Sequence, residues 1–302
     1  MEMDKLHFPH RNDFDQIIRN RVNDYFKNNN IKQTGNSWLF TKAIIALSGI
    51  VITYLSILLG NLSWYTALFA TFMLVQFQIL LAFNVMHDGG HQSFSTKKWL
   101  NNVASWGMDL LGSSSFLWKQ KHNSLHHTYT NVHGKDDDID VAGMIRLSPE
   151  QPYRSWHRYQ AIYAPFLYGF LSLYLLLYSD FQRFFLRKIG DTPISHLKVK
   201  DVAFFSFFKT FYFAYTLVIP MFFYNPLFVL LYFIFGHFIF GLTLSFGLRM
   251  NPGVDVDVCN PEFDERYRDY WQTYHRLTER KGVTESYARL EVRRRNTLIG
   301  SL

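Results

Sequence analysis

The chain has a single cysteine, Cys259, in 302 residues. That excludes a disulfide framework and any cysteine-built zinc or iron–sulfur site. Residues 1–41 are polar and charged with no early apolar run, so no signal peptide is expected there. The chain also lacks a His-Glu-x-x-His protease motif, an internal repeat and a Gly/Ser- or Pro-rich linker. Aromatic residues, by contrast, are abundant at 18 %, with 30 Phe and 18 Tyr. The mean hydropathy of −0.06 looks soluble, but it averages very apolar stretches with very charged ones. A net charge of +7 could serve nucleic acid. Here the basic residues lie between apolar runs, which favours the positive-inside rule and an anionic lipid surface, and no nucleic-acid partner is expected.

Residues 1–41 form an amphipathic N-terminal segment, expected to be cytosolic. Phe14, Ile17, Ile18, Val22, Tyr25 and Phe26 fall close to helical spacing, Asp13 is placed to cap them, and Asn28-Asn29-Asn30 marks the end. This helix is expected to pack on a cytosolic domain in preference to lying on the bilayer. A membrane domain follows over 42–246. Spans are expected at 43–59 and 64–86, each near the ~20 residues that cross hydrocarbon, with only Gly60-Asn61-Leu62-Ser63 between them. Lys27, Lys32 and Lys42 precede this hairpin, and Lys97, Lys98, Lys119 and Lys121 follow it, so both ends should face the cytoplasm. A second hairpin is expected over 202–223 and 226–246, turning at Tyr224-Asn225-Pro226. Residues 104–117, interrupted by Asp109 and Gly112, are too short and polar to span and suit a re-entrant or buried helix. Residues 162–178, broken by Pro165 and Gly169 and followed by the basic segment 183–200, read as interfacial. The run Asp136-Asp137-Asp138-Ile139-Asp140 lacks EF-hand spacing and reads as a solvated loop. The fold class is therefore an all-α membrane protein: four transmembrane helices in two hairpins, a cytosolic cap, interfacial helices, and a short soluble helical tail.

The cap carries the chemistry. His87-Asp88-Gly89-Gly90-His91 and His122-Asn123-Ser124-Leu125-His126-His127 hold five of the chain's 12 histidines. Neutral imidazole is the commonest side-chain metal ligand. On an α-helix His87 and His91 point the same way, as do His122 and His126, with His127 about a quarter-turn aside. Gly89 and Gly90 each weaken a helix by about 1 kcal/mol but allow another backbone to approach closely. Five imidazoles exceed one tetrahedral zinc site and suit iron with positions open for oxygen. Against this stands the bland reading of interfacial, hydrogen-bonded histidines, which would account for one isolated ring better than for two clusters after a membrane hairpin. Lys119, Lys121 and Arg154 are candidate contacts for an anionic ligand, set against an equally good reading as solvated loop positions.

These boxes, with Met86 before the first and Thr128-Tyr129-Thr130-Asn131 after the second, resemble the membrane fatty-acid desaturase family. The likeness is closer to bacterial acyl-CoA, linoleoyl-CoA-type front-end enzymes, and covers about residues 5–246. Trp118-Lys119-Gln120-Lys121-His122-Asn123 through Gly134-Lys135-Asp136-Asp137-Asp138-Ile139-Asp140 carries much of it. The resemblance implies a multi-pass membrane enzyme with two irons on the cytosolic side, held by His87, His91, His122, His126 and His127. It implies O2 as co-substrate, an acyl-CoA or acyl-lipid substrate, and oxidation by a metal centre of a C–H bond that offers no acid–base handle. With no cytochrome b5-like module at either end, a separate donor, ferredoxin or cytochrome b5-like, is expected. A related histidine-box hydroxylase is the nearest enzymatic alternative.

The pattern departs from the family after Phe246. A third cluster of the form His/Gln-x-x-His-His is absent, and the only later histidine is His275. His237, inside the fourth span, reads as a packing or cavity residue. Function is therefore expected to be impaired, and a catalytically inactive chimeric protein is the rival from another class. Residues 247–302 form a charged tail with helices expected over 264–280 and 287–298. The segment Asp269–Gly282 with Arg295–Gly300 resembles part of the phosphate-acetyltransferase-like domain of bacterial malic enzymes, without a Gly-x-Gly-x-x-Gly fingerprint. A piece of this length is near the lower limit for an independent core, and poor packing is expected.

Overall fold

The computed structural model describes residues 13–130, 132, 134–136, 139, 143–190, 192–194, 197–249 and 266–294. Asn131, Asp137, Asp138, Asp140, residues 250–252 at the change of composition, and Arg295 with residues 296–300 lie outside them. The chain forms two compact units, Met1–Arg249 and Met250–Leu302.

Four helices of the first unit are long and apolar enough to cross a membrane: Ser37–Leu59, Trp64–Gly90, Val199–Met221 and Pro226–Phe246. The first begins earlier than its apolar run because the Asn36 side chain caps it, accepting from Leu39 N at 3.1 Å. The second continues through a π-helical turn, Ala82–Met86, so the first histidine box is helical and continuous with the span. Outward-facing apolar side chains stay exposed, Ile44 at 66 % and Phe69 at 67 %, as in helices whose solvent is lipid.

The hairpins are tied at their turn ends. Tyr224 OH donates to Ile57 O at 2.8 Å, and Tyr232 OH to Trp64 O at 2.8 Å. Midway, Tyr54 OH donates to Tyr215 O at 2.6 Å. Trp64 and Tyr65 at the turn face and Trp38 at the box face are exposed, as interfacial aromatic belts are.

The N-terminal helix is described over Asp13–Asn28, and the Asp13 side chain, expected to cap it, lies outside what is described. Ile17, Ile18, Val22 and Tyr25 are exposed. Phe26 is half-buried and lines a small pocket with Asp88 and Ser93, and the loop that follows is tied to the box region at Gly35, whose N–H donates to Ser93 O at 2.9 Å.

The stretch expected to lie flat at the interface is instead a bent pair, Ser155–Gly169 and Leu171–Leu186, meeting at 57°. Pro165 and Gly169 account for the break. Gly169 and Gly241 let the pair touch the fourth span: a Cβ on Gly169 would collide with the Phe238 ring. Ser172, just past the bend, bonds His237, which lies about midway along the fourth span. The bend thus reaches the middle of the bundle, deeper than a surface helix would.

The second unit, described from Arg266, is a helical hairpin of Arg266–Thr278 and Glu285–Arg294 turning at Gly282, whose φ is 81°. Trp271, Ala288 and Val292 are buried between the helices, and the Arg289 guanidinium sits 4.2 Å from the Trp271 ring centroid. A small core therefore forms despite the short length.

Candidate metal centre

The second box hangs from a helix whose start is pinned by buried charge. Among the short helices of 98–119, as expected for a non-spanning segment, the one carrying the box begins at Ser115. Asp180 Oδ2 accepts from Ser114 N at 3.0 Å, Ser113 Oγ at 3.0 Å and Lys209 Nζ at 2.9 Å. Lys209 also donates to Gly112 O at 2.6 Å. Asp109 Oδ1 accepts from Ser115 N at 3.1 Å, while its Oδ2 is buried with no partner among the described residues. These carboxylates sit at the start of the box helix, where negative charge is favoured.

Burial pushes the Asp109 carboxyl up from 3.8 to about 6, with Asp180 adding repulsion and the Ser115 hydrogen bonds opposing. The folded state holds this proton more tightly than the unfolded chain does. Stability should therefore fall as pH rises from about 4 through 6. Asp109→Asn is expected to flatten that part of a thermal-unfolding profile in detergent and to be worth at most about 3 kcal/mol at neutral pH. An unchanged profile would show that Asp109 is solvated in the folded protein.

From Gln120 to His126 the backbone widens into a π-helix. A wider helix turns less per residue than an α-helix, so His127 comes back over His122, and its N–H donates to His122 O at 3.1 Å. Its ring lies 4.6 Å from that of His122 and 5.0 Å from that of His91, so it joins the cluster even with the quarter-turn offset expected for it. His122 and His126 stack at 5.4 Å and 17°. In the first box the glycines admit close neighbours. A Cβ on Gly89 would lie 2.7 Å from Asn101 O, and one on Gly90 would strike the Trp118 ring. Asn123 Nδ2 donates to Gly90 O at 3.0 Å, joining the boxes.

Ligand atoms of His87, His91 and His122 all come within 4.8 Å of one another. Burial, then His87 and His127, pushes the His91 imidazole below its ordinary value, while Asp88 opposes. Burial and the neighbouring imidazoles both favour the neutral ring, the form that binds metal. His126 Nδ1 lies 3.0 Å from Asp136 Oδ2 and 3.1 Å from Oδ1, on a carboxylate 2 % exposed. A carboxylate on one imidazole nitrogen fixes the tautomer and turns the other toward a metal. Asp136 is therefore not part of a solvated loop. Sequence reading missed it because its partner is ten residues away across an irregular segment. The donor set, imidazoles converging with a carboxylate behind one of them, fits a nitrogen-ligated divalent metal such as iron.

The other expected residues separate. Lys121 lines the cavity beside the box, whereas Lys119 Nζ donates to Ser105 Oγ at 2.7 Å and Arg154 lies 5.1 Å from the Trp156 ring. Burial pushes the Lys119 ammonium down, with Asp109 opposing. His237 is held on both nitrogens, by Ser172 Oγ at 2.9 Å and Tyr212 OH at 2.8 Å, as suits a cavity residue.

A cavity of about 1870 Å³ opens at the boxes and runs down the bundle. His87, His122 and His126 line one end, and Tyr54, Leu62, Trp64 and Tyr224 the other. Ordinary small-molecule pockets hold ~300–1,000 Å³. A long apolar ligand suits this larger space, with its polar end among Lys121, Arg183 and Lys188.

Comparison with known proteins gives the same direction. The chain is 33 % identical over 208 residues to an sn-1 linoleoyl-lipid 6-desaturase of Arthrospira platensis, covering 69 % of this chain and 56 % of that one. It is 29 % identical over 218 residues to the enzyme of the same name from Synechocystis, covering 72 % and 61 %. It is 32 % identical over 212 residues to an acyl-lipid (8-3)-desaturase of Physcomitrium patens, covering 69 % and 44 %. The matched part of this chain thus spans about half the length of these relatives. No solved structure matches the chain at a significant level. The malic-enzyme resemblance finds no support in these comparisons. A fatty acid desaturase family model matches residues 62–273, both boxes included, and runs past the change of composition near residue 247. This chain belongs to the fatty acid desaturase family.

Proposed function

We propose that the chain is a membrane acyl desaturase whose iron site, as encoded in these 302 residues, is incomplete. The observation that carries this reading is the convergence of His87, His91 and His122 at the end of a bilayer-deep apolar cavity. Bound there, two irons would couple O2, two external electrons and two protons to loss of two hydrogens from the acyl chain, giving a double bond and two waters. His87, His91, His122, His126 and His127 would hold the metal, and Asp136 would hold His126 in its binding tautomer. The apolar wall excludes water and fixes the chain against the site. Lys121, with Arg183 and Lys188, lines the cavity and would hold the anionic end of the substrate, with Lys119 and Arg154 as further candidate contacts. The relatives' names favour an acyl chain on a lipid over one on CoA. The box face is cytoplasmic, where a separate donor such as a ferredoxin or cytochrome b5-like protein supplies electrons.

The five box histidines lack the third cluster of the family pattern, and His237 is already engaged. That favours a second reading, an acyl-binding protein without turnover. Iron analysis of the purified chain and gas chromatography of fatty-acid methyl esters from an expressing host decide between them. We expect fewer than two irons per chain and a double bond formed slowly or not at all. Two tight irons with full conversion would overturn the incompleteness, an added hydroxyl would make the chain a hydroxylase, and no bound iron would leave the acyl-binding reading.

A further inference from the structure

Among the described residues, Trp118 is the one non-histidine ring that packs on the His87, His91 and His122 imidazoles. Its indole stacks on His122 with centroids 4.5 Å apart and planes at 20°. The same ring meets His87 at 5.8 Å and 66°, and His91 at 5.9 Å and 70°. It therefore touches all three imidazoles whose ligand atoms converge within 4.8 Å. The indole also lines the cavity.

Its seat is built by the first box. A Cβ on Gly90 would occupy the space of the Trp118 six-membered ring, so the glycine is what admits the indole. Trp118 lies one turn before His122, and its own helix is fixed by the Ser114 side chain and by the bonds of Asp109 and Asp180 to its first residues. The indole is thus held on the box-two helix and inserted against the box-one helix. His122, on a half-buried π-helical turn, gains from it a flat wall that limits rotation about its own side-chain bonds.

We infer that Trp118 is a positioning residue: its indole sets the imidazole planes of His122, His87 and His91 so that their nitrogens converge. The inference rests on the metal-centre reading above and assigns the indole no contact with reacting atoms. A flat ring of the right thickness is what the arrangement uses, so phenylalanine should preserve it and leucine should not. Displacing the indole without altering its chemistry should act like removing it, which Gly90→Ala does by placing a methyl in its seat.

Two measurements on the full-length chain in detergent test this. In the metal-free protein, carbethoxylation of His122 by diethylpyrocarbonate, mapped by peptide mass spectrometry, should be several-fold faster in Trp118→Leu and Gly90→Ala than in the wild type or Trp118→Phe. Titration with Co2+ should show at least tenfold weaker binding and an altered visible spectrum in the same two variants. Wild-type rates, affinity and spectrum in both would overturn the role, as would a Trp118→Phe variant as impaired as Trp118→Leu. If the wild type binds no Co2+, the metal-centre reading fails, while the modification rates still decide whether Trp118 orders the rings.

Discussion

Replacing Lys209 by methionine is expected to cost about 3–5 kcal/mol, the range for stripping one partner from a buried ion pair. Lys209 is 6 % exposed and Asp180 3 %, and their contact is 2.9 Å. The variant leaves the Asp180 carboxylate buried and held only by Ser113 and Ser114. It also removes a donor to the Gly112 carbonyl. Gly112, at φ 89°, forms the turn into the box-two helix, so the loss reaches the histidines through that loop. Thermal unfolding in detergent measures the first effect and Co2+ affinity the second. Adding Asp180→Asn to the same chain should recover much of the loss, since no uncompensated charge remains. A double variant as unstable as Lys209→Met would mean that shape, and not charge, holds the loop.

Asp136→Ala is expected to weaken metal binding by about 10–100-fold, the usual effect of removing a carboxylate behind a ligating histidine. The carboxylate touches His126 Nδ1 with both oxygens, at 3.0 and 3.1 Å, and its side chain is inaccessible to solvent. The variant removes the carboxylate that fixes which imidazole nitrogen carries the proton. Asp136→Asn keeps an oxygen that can accept from Nδ1–H but loses the charge, so it should fall between the two. Titration of the three proteins with Co2+ by calorimetry orders them. Equal affinity for wild type and Asp136→Ala would remove Asp136 from the centre.

The spans and the boxes were legible because they are local patterns. An apolar run of about twenty residues and a pair of histidines four apart each carry their meaning within one or two turns of backbone. The close approach at Gly89 and Gly90 was also foreseeable, since lack of a side chain is a property of the residue itself. The π-helical widening that swings His127 toward His122 was not, because spacing read at α-helical pitch places the ring elsewhere. The depth of the 155–186 pair escaped for a related reason: Pro165 and Gly169 announce a break but not which span the broken helix will meet.

The sequence by itself determined the membrane class, four spanning helices and the imidazoles available to a metal, since hydrophobic run length and residue chemistry do not depend on distant partners. Only the tertiary structure decided which imidazoles converge, that Asp136 is buried behind His126, and that Lys209 reaches Asp180 from 29 residues away. Burial is the physical reason. It makes an unpaired charge costly, so a charged side chain finds its counterpart wherever the packed helices bring one within reach, at a separation that no local pattern records.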